Sequence, residues 1–298
     1  MMRRSALPRL VLMLPLIAGL VACGSTSSAA TPTPTYPTLI TPGTITAFTL
    51  TDGAPFASVN TTTAQWTGYE IALTERIASD LHMKITYAGT DDFSTLLPSV
   101  AEGLDDICFV SIADTDARRG AVDFSLPDYT GTNNLMVLNS SSIPSGPQQV
   151  GTTEPTSVTG VKVGVVTATL EANYAAKYFP TAQLVDFPNP TAAVLALVGG
   201  SVDSIFIDGQ DADLYAAQYA VHTAFTTVDP SNRGAAIVFN KNDTKLRLAF
   251  NAELQKLLAN GTIASLLKQY DSAEPTGPIT SFLNTYYQAN AKTAYYTH

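Results

Sequence analysis

Thr115-Asp116-Ala117-Arg118 sets a helix-capping hydroxyl three residues before an arginine. Thr115 can cap a helix whose first turn holds Asp116, Ala117 and Arg118, so that amide N–H groups and a guanidinium face one anion. Arginine presents a planar fork that matches a carboxylate with two parallel charge-assisted bonds, which lysine cannot do. In the second half of the chain the apolar strand IFI carries Asp208 to its carboxyl end, where the carboxylate either meets a ligand or caps the following helix. Other chemistries find no support. His82, His222 and His298 are scattered and lack metal-ligand spacing. No G-x-x-x-x-G-K-[ST] phosphate cradle and no G-x-S-x-G nucleophile turn occurs. No cofactor and no metal are implied, and any ATP-driven motor must be a separate polypeptide.

These groups must be held by strands that alternate with helices. TITAFTL is followed by the helical pattern GYEIALTERIASDL, with Ile71, Leu73, Ile77 and Leu81 on its apolar positions, then by MKITYA and a second helix around Leu96, Leu97 and Val100. The rhythm returns after residue 160: VKVGVV precedes a helix near 170–178, QLVDF one near 191–198, and DSIFI one near 210–219. Such alternation implies parallel sheets covered on both faces. The polar interval 140–160 separates the halves as a connection or surface loop. After GAAIVF comes a long helix with Leu246, Phe250, Leu254, Leu257 and Leu258 in one stripe, ended by Ala259-Asn260-Gly261. If the chain returns to the first lobe there, two crossings form a hinge, and a ligand sits between lobes at the carboxyl ends of strands.

Arg3, Arg4 and Arg9 precede an apolar run at residues 10–22, the pattern of a signal peptide. A run of 13 residues broken by Pro15 falls short of the roughly 20 needed to span a bilayer. Leu20-Val21-Ala22-Cys23 resembles the lipobox of bacterial lipoproteins, which implies a lipidated Cys23 as the mature N-terminus. Residues 24–43, rich in Ser, Thr and Pro, read as an extended stalk. The other cysteine, Cys108, lies in an apolar run as a buried hydrophobe. Removing the leader leaves 13 basic against 25 acidic side chains, a net charge of −12, which argues against a nucleic-acid partner. The expected division is a leader at 1–22, a lipidated linker at 23–43, a first lobe from 44–138 and 231–271, a second lobe at 139–230, and a C-terminal extension at 272–298.

The segment DDICFVSIADTDARRGAVDFS, residues 105–125, resembles the family 3 extracellular solute-binding proteins, which serve polar amino acid importers. Asp106, Thr115, Arg118, Asp123, Phe124 and Ser125 fall at the family spacing, and the similarity runs over about residues 44–271. The resemblance implies an α/β, two-lobe fold of the type II periplasmic-binding-protein kind, two sheets with flanking helices joined by a two-crossing hinge. It implies that Arg118, assisted by the backbone around Ser111, binds a ligand α-carboxylate, while Arg119 decorates a solvated helix face. Phe93, at the start of the helix before that strand, flanks the ligand or belongs to the core. Asp208, five positions after Asp203, accepts the ligand α-ammonium, so the charges of a zwitterion are read by separate lobes. Thr169 fits a turn that donates backbone bonds to the carboxylate, although the usual glycine is Ala168 and the next polar position is Leu170. Near the first strand the chain reads LTDGAPF, in an ambiguous register that offers Asp52 as the acidic residue. The implied function is a monomeric substrate-binding lipoprotein of an ABC transporter. It would be extracytoplasmic and membrane-anchored, with permease subunits as partners and an amino acid as ligand. The rival on the same fold is a cyclohexadienyl-dehydratase-like enzyme with Glu171 as general acid, although a Glu in a first helical turn is favoured by the macrodipole in any case.

Overall fold

The computed structural model describes residues 39–146, 149–150, 158–228, 233–271 and 275–290. The leader, Cys23 and the linker as far as residue 38 lie outside them, as do residues 229–232 and 291–298.

The chain opens with β1 (Thr44–Leu50), which buries Ile45, Ala47 and Leu50, and a ribbon of three short antiparallel strands, β2 (Asp52–Gly53), β3 (Ala57–Asn60) and β4 (Gln65–Thr67). Next comes α1 (Tyr69–Asp80), whose apolar stripe of Ile71, Leu73 and Ile77 faces the core. Gly68 must precede it, because its φ of 137° is left-handed and a Cβ there would collide with the Phe56 carbonyl. No side chain caps α1. Its first N–H groups are instead satisfied by the carbonyls of Pro55 (Tyr69 N, 2.9 Å) and Phe56 (Glu70 N, 3.1 Å).

The first lobe continues through β5 (Lys84–Thr90), a 3-10 turn at Phe93–Thr95, α2 (Leu96–Ala101), β6 (Ile107–Cys108), α3 (Asp116–Arg119) and β7 (Asp123–Phe124). The chain then crosses to β8 (Asn133–Leu138), β9 (Gln149–Val150), β10 (Lys162–Val166), α4 (Leu170–Tyr178), β11 (Gln183–Phe187), α5 (Pro190–Val198), β12 (Ser204–Asp208), α6 (Gly209–Gln218) and β13 (Val221–Val228). It ends with β14 (Val238–Phe239), α7 (Thr244–Ala259), α8 (Thr262–Tyr270) and α9 (Thr276–Asn290). The first sheet has the order β5-β1-β6-β14-β7 and the second β11-β10-β12-β8-β13-β9. Within them β1 is parallel to β5 and β6, and β10 to β11 and β12, as the strand–helix alternation predicts.

β14 pairs antiparallel with β6 and β7, so the chain does return to the first lobe. The two crossings lie side by side: Asp128 N donates to Ala235 O at 3.0 Å and Ala235 N to Tyr129 O at 2.9 Å. The boundary expected at 138/139 is corrected. β8 pairs antiparallel with both β12 and β13, so the first crossing comes before Asn133. NNLMVL is buried along almost its whole length, which suits a central strand.

The extension after residue 271 does not stand apart. α9 lays Ile279, Leu283 and Tyr287 on the first lobe's core, and the Tyr287 hydroxyl donates to Pro127 O, on the first crossing, at 2.6 Å. Cys108 is fully buried in β6, as expected. Among the described residues no helix is long and apolar enough to cross a membrane.

Candidate functional site

The carboxyl ends of β1, β6, β10 and β12 converge on a cleft of about 460 Å³ between the lobes. From the first lobe Leu50, Gly53, Phe56, Phe93, Val110 and Ser111 line it. From the second come Val166, Thr169, Glu171, Pro190, Phe206, Ile207, Asp208, Gln210 and Asp211. A largely apolar cleft with a few convergent polar groups suits a small ligand. The lobes are closed on it. Phe93 N donates to Pro188 O at 3.1 Å, Asn189 Nδ2 to Asp91 O at 2.7 Å and Thr191 Oγ1 to Asp52 Oδ2 at 2.7 Å.

Arg118 is carried by α3, which Thr115 caps as expected by accepting from Arg118 N at 3.3 Å. Its Nη1 donates to Ala113 O at 2.7 Å within the lobe, and its Nη2 to Ala168 O at 2.8 Å across the cleft. The guanidinium carbon lies 5.6 Å from the Phe93 ring centroid, so this aromatic serves as both cleft wall and cation–π partner. A guanidinium has five N–H donors, of which these bonds use two. The rest suffice for a bidentate carboxylate. Burial lowers the Arg118 pKa, offset first by the nearby Glu171 and, among weaker influences, by Asp208.

Asp208 ends β12, with the first turn of α6 behind it. It makes no side-chain cap to α6, so of the two roles open to it the cap is not the one adopted. Thr169 caps α4 by accepting from Ala172 N at 3.1 Å, and donates its own proton to Val166 O at 2.7 Å. The preceding Ala168 adopts a left-handed turn with φ 65°. An L-residue there costs roughly 1–2 kcal/mol. The carbonyl that this turn exposes is the one that accepts from Arg118.

Of the predicted site residues, Phe93, Ser111, Thr169 and Asp208 line the cleft, and Arg118 lies against Phe93 at its wall. Asp52 is a correction: it is exposed and outside the lining, and its carboxylate is the acceptor of the Thr191 bond at the cleft's rim. Arg119 is also corrected from a solvated role, because its guanidinium forms a two-bond pair with buried Asp114 and lies 5.7 Å over Phe124. Gln210 and Asp211 were not anticipated. They follow Asp208 in the first turn of α6, and the placement of ligand sites just beyond strand ends was a signal that could have found them.

Electrostatics single out the second lobe's carboxyl groups. Burial raises Glu171, and burial followed by repulsion from Glu171 raises Asp211 to about 8. Asp208 is raised well above the ordinary range by burial, then by Glu171 and Asp211. Three acidic groups thus line the cleft, and two of them, Glu171 and Asp208, act on the Arg118 guanidinium. Among the described residues no cluster of His, Cys, Asp or Glu is arranged to hold a metal ion.

Comparison with known proteins agrees with this geometry. Residues 45–273 match the model of the bacterial extracellular solute-binding proteins, family 3. The chain is 28% identical to a probable histidine-binding protein of Campylobacter jejuni over 69% of this chain and 77% of that one. It is 25% identical to the lysine/arginine/ornithine-binding periplasmic protein of Escherichia coli over 77% and 88%. An amino acid ABC transporter substrate-binding protein of Streptococcus pneumoniae, solved with L-arginine bound, superposes with a TM-score of 0.69 at 24% identity, covering 77% of this chain and 94% of that one. The fold is the two-lobe, type II periplasmic-binding-protein arrangement, and α9 lies beyond the matched residues. With most of its length accounted for in this way, the chain belongs to the bacterial extracellular solute-binding proteins of family 3.

Proposed function

We propose that this protein captures a free amino acid with a cationic side chain between its lobes and delivers it to the permease of an ABC importer. In this reading it is tethered outside the cytoplasm through a lipid on Cys23. The observation that carries the ligand class is the set of three buried carboxyl groups that line the cleft, Glu171, Asp208 and Asp211, of which Glu171 and Asp208 act on Arg118. A ligand α-carboxylate pairs with Arg118, and its ammonium sits beside Asp208 and Glu171. That leaves Asp211, which a guanidinium, ammonium or imidazolium would satisfy and a neutral side chain would not. Relatives described as binding histidine or lysine, arginine and ornithine support the same class.

Closure follows from the division of labour. Neither lobe alone pairs both charges of a zwitterion, so the ligand binds the closed state better and shifts the population toward it. Micromolar affinity corresponds to about −8 kcal/mol.

A thermal-shift series with L-arginine, L-lysine, L-histidine, L-glutamine and L-glutamate tests the assignment. The cationic ligands should stabilise most, glutamine less and glutamate least. A largest shift with glutamate would refute it.

A second reading rests on Glu171, whose raised pKa and place in the cleft also suit a general acid. Formation of an aromatic product from prephenate or arogenate in the same samples would favour this dehydratase-like activity over capture.

A further inference from the structure

Behind the cleft lies a second pair of carboxyl groups that binding does not use directly. Glu70, at the head of α1, and Asp128, on the first crossing, are both fully buried. Glu70 Oε2 accepts the Ser111 N–H at 2.9 Å. Glu70 Oε1 and both Asp128 carboxyl oxygens are buried without an ordinary donor. None of the described ion pairs involves either residue. The titratable groups beside them are Tyr69 and Cys108; Tyr129 and Tyr287 lie next to Tyr69, and Asp271 is one step further, accepting from the Tyr129 hydroxyl at 2.8 Å. No cation is among them.

Two ionised carboxylates cannot remain together in a dry interior without a counter-charge. Burial and mutual repulsion hold Glu70 well above the usual carboxylate range, and burial pushes Asp128 up to about 7. A proton on Glu70 Oε1, donated to Asp128, supplies the missing donor while Oε2 keeps the Ser111 amide.

Ser111 sits in the left-handed region, φ 50°, at a non-glycine residue. Such backbone persists only where its surroundings over-determine it. It also lines the cleft, and its hydroxyl accepts from Gln210 Nε2 across the lobes at 3.4 Å. Asp128 is fixed in turn to the hinge, since its N–H donates to the second crossing and its carbonyl accepts from the Tyr69 hydroxyl at 2.7 Å.

We propose that Glu70 and Asp128 share one proton and together act as positioning residues that present Ser111 to the ligand and tie it to the hinge. This rests on the reading of the cleft as the ligand site. The geometry makes a sharp distinction between variants. Glutamine at position 70 keeps both bonds, with Oε1 accepting from Ser111 and Nε2 donating to Asp128, so it imitates the protonated glutamate permanently. Alanine keeps neither.

Two measurements on the purified protein test this: L-arginine affinity by calorimetry from pH 5.5 to 8.5, and hydrogen exchange of the Ser111 amide without ligand. Glu70→Ala should weaken L-arginine at least about tenfold and speed Ser111 exchange by a similar factor. Glu70→Gln should match the wild type in both below neutral pH. Above it the wild type should fall behind Glu70→Gln, because only the wild type can lose the shared proton. If Glu70→Gln is as impaired as Glu70→Ala, an ionised Glu70 is required and the proposal fails. It fails equally if Glu70→Ala exchanges Ser111 and binds as the wild type does. Should Glu70→Ala not fold, the Glu70→Gln profile decides alone on the same terms. A wild type that binds no amino acid would sink the ligand assignment, while Ser111 exchange would still judge the pair.

Discussion

Replacing Arg118 with alanine is expected to weaken L-arginine binding by roughly 30-fold to several thousand-fold, the range set by losing about 2–5 kcal/mol when a buried charge is left unpaired. The guanidinium stands at the cleft wall over Phe93, with two donors committed to Ala113 O and Ala168 O and the remainder open. The bond to Ala168 O also joins the lobes, so the variant loses both a ligand contact and one link across the closed cleft. Arg118→Lys should not restore binding, because an ammonium lacks the planar fork and cannot hold Ala113 O, Ala168 O and a carboxylate in one plane. The half-buried position means that the thermal melt of the free protein should change little. Wild-type affinity in a folded Arg118→Ala protein would remove Arg118 from the site.

Free of ligand, the protein should be most stable in mild acid and lose stability as pH rises from about 5 to about 8, with a fall in Tm on the order of 5 °C. The sign follows from the direction of the shifts. Glu171, Asp208 and Glu70 are raised, Asp211 to about 8, Asp128 to about 7 and Asp243 to about 6. Burial is the leading cause for each. A carboxyl group whose folded pKa lies above its unfolded value keeps its proton in the folded state where the unfolded chain has already released it. Folding is therefore favoured below the folded pKa, and that advantage is lost as pH climbs through it. Saturating L-arginine should flatten the curve, because a cationic ligand pairs with the cleft carboxylates and lets them ionise. Melting curves collected across this range with and without L-arginine check both statements. A free protein that grows more stable toward pH 8 would contradict them.

Much of the scaffold was legible because local periodicity and capping decide it. The helices read near 170–178, 191–198 and 210–219 correspond to α4, α5 and α6, and the stripe from Leu246 to Leu258 ends where Gly261 adopts φ 81°. Arg118 and Asp208 were visible because a capped turn and a strand end place charged groups beyond a sheet. What escaped depends on partners distant in sequence. NNLMVL carries no mark of which sheet will accept it, and only pairing with β12 and β13 assigns it to the second lobe. The stripe of Ile279, Leu283 and Tyr287 needs an apolar surface to acquire meaning, and the first lobe's core supplies it. Glu70 looks like an ordinary acidic first-turn residue until Asp128, 58 positions later, is brought against it with no cation between. Asp52 misled for the opposite reason: its strand-end position is correct, but its side chain turns to Thr191 at the rim.

Calorimetric titration of the wild-type protein with L-arginine, its decarboxylated amine agmatine and the deaminated guanidino acid addresses the two-lobe charge reading most directly. L-arginine should bind in the micromolar range, and removing either the carboxylate or the ammonium should cost at least about a hundredfold. Agmatine or the guanidino acid binding as tightly as L-arginine would show that opposite charges on one molecule are not what the lobes close upon.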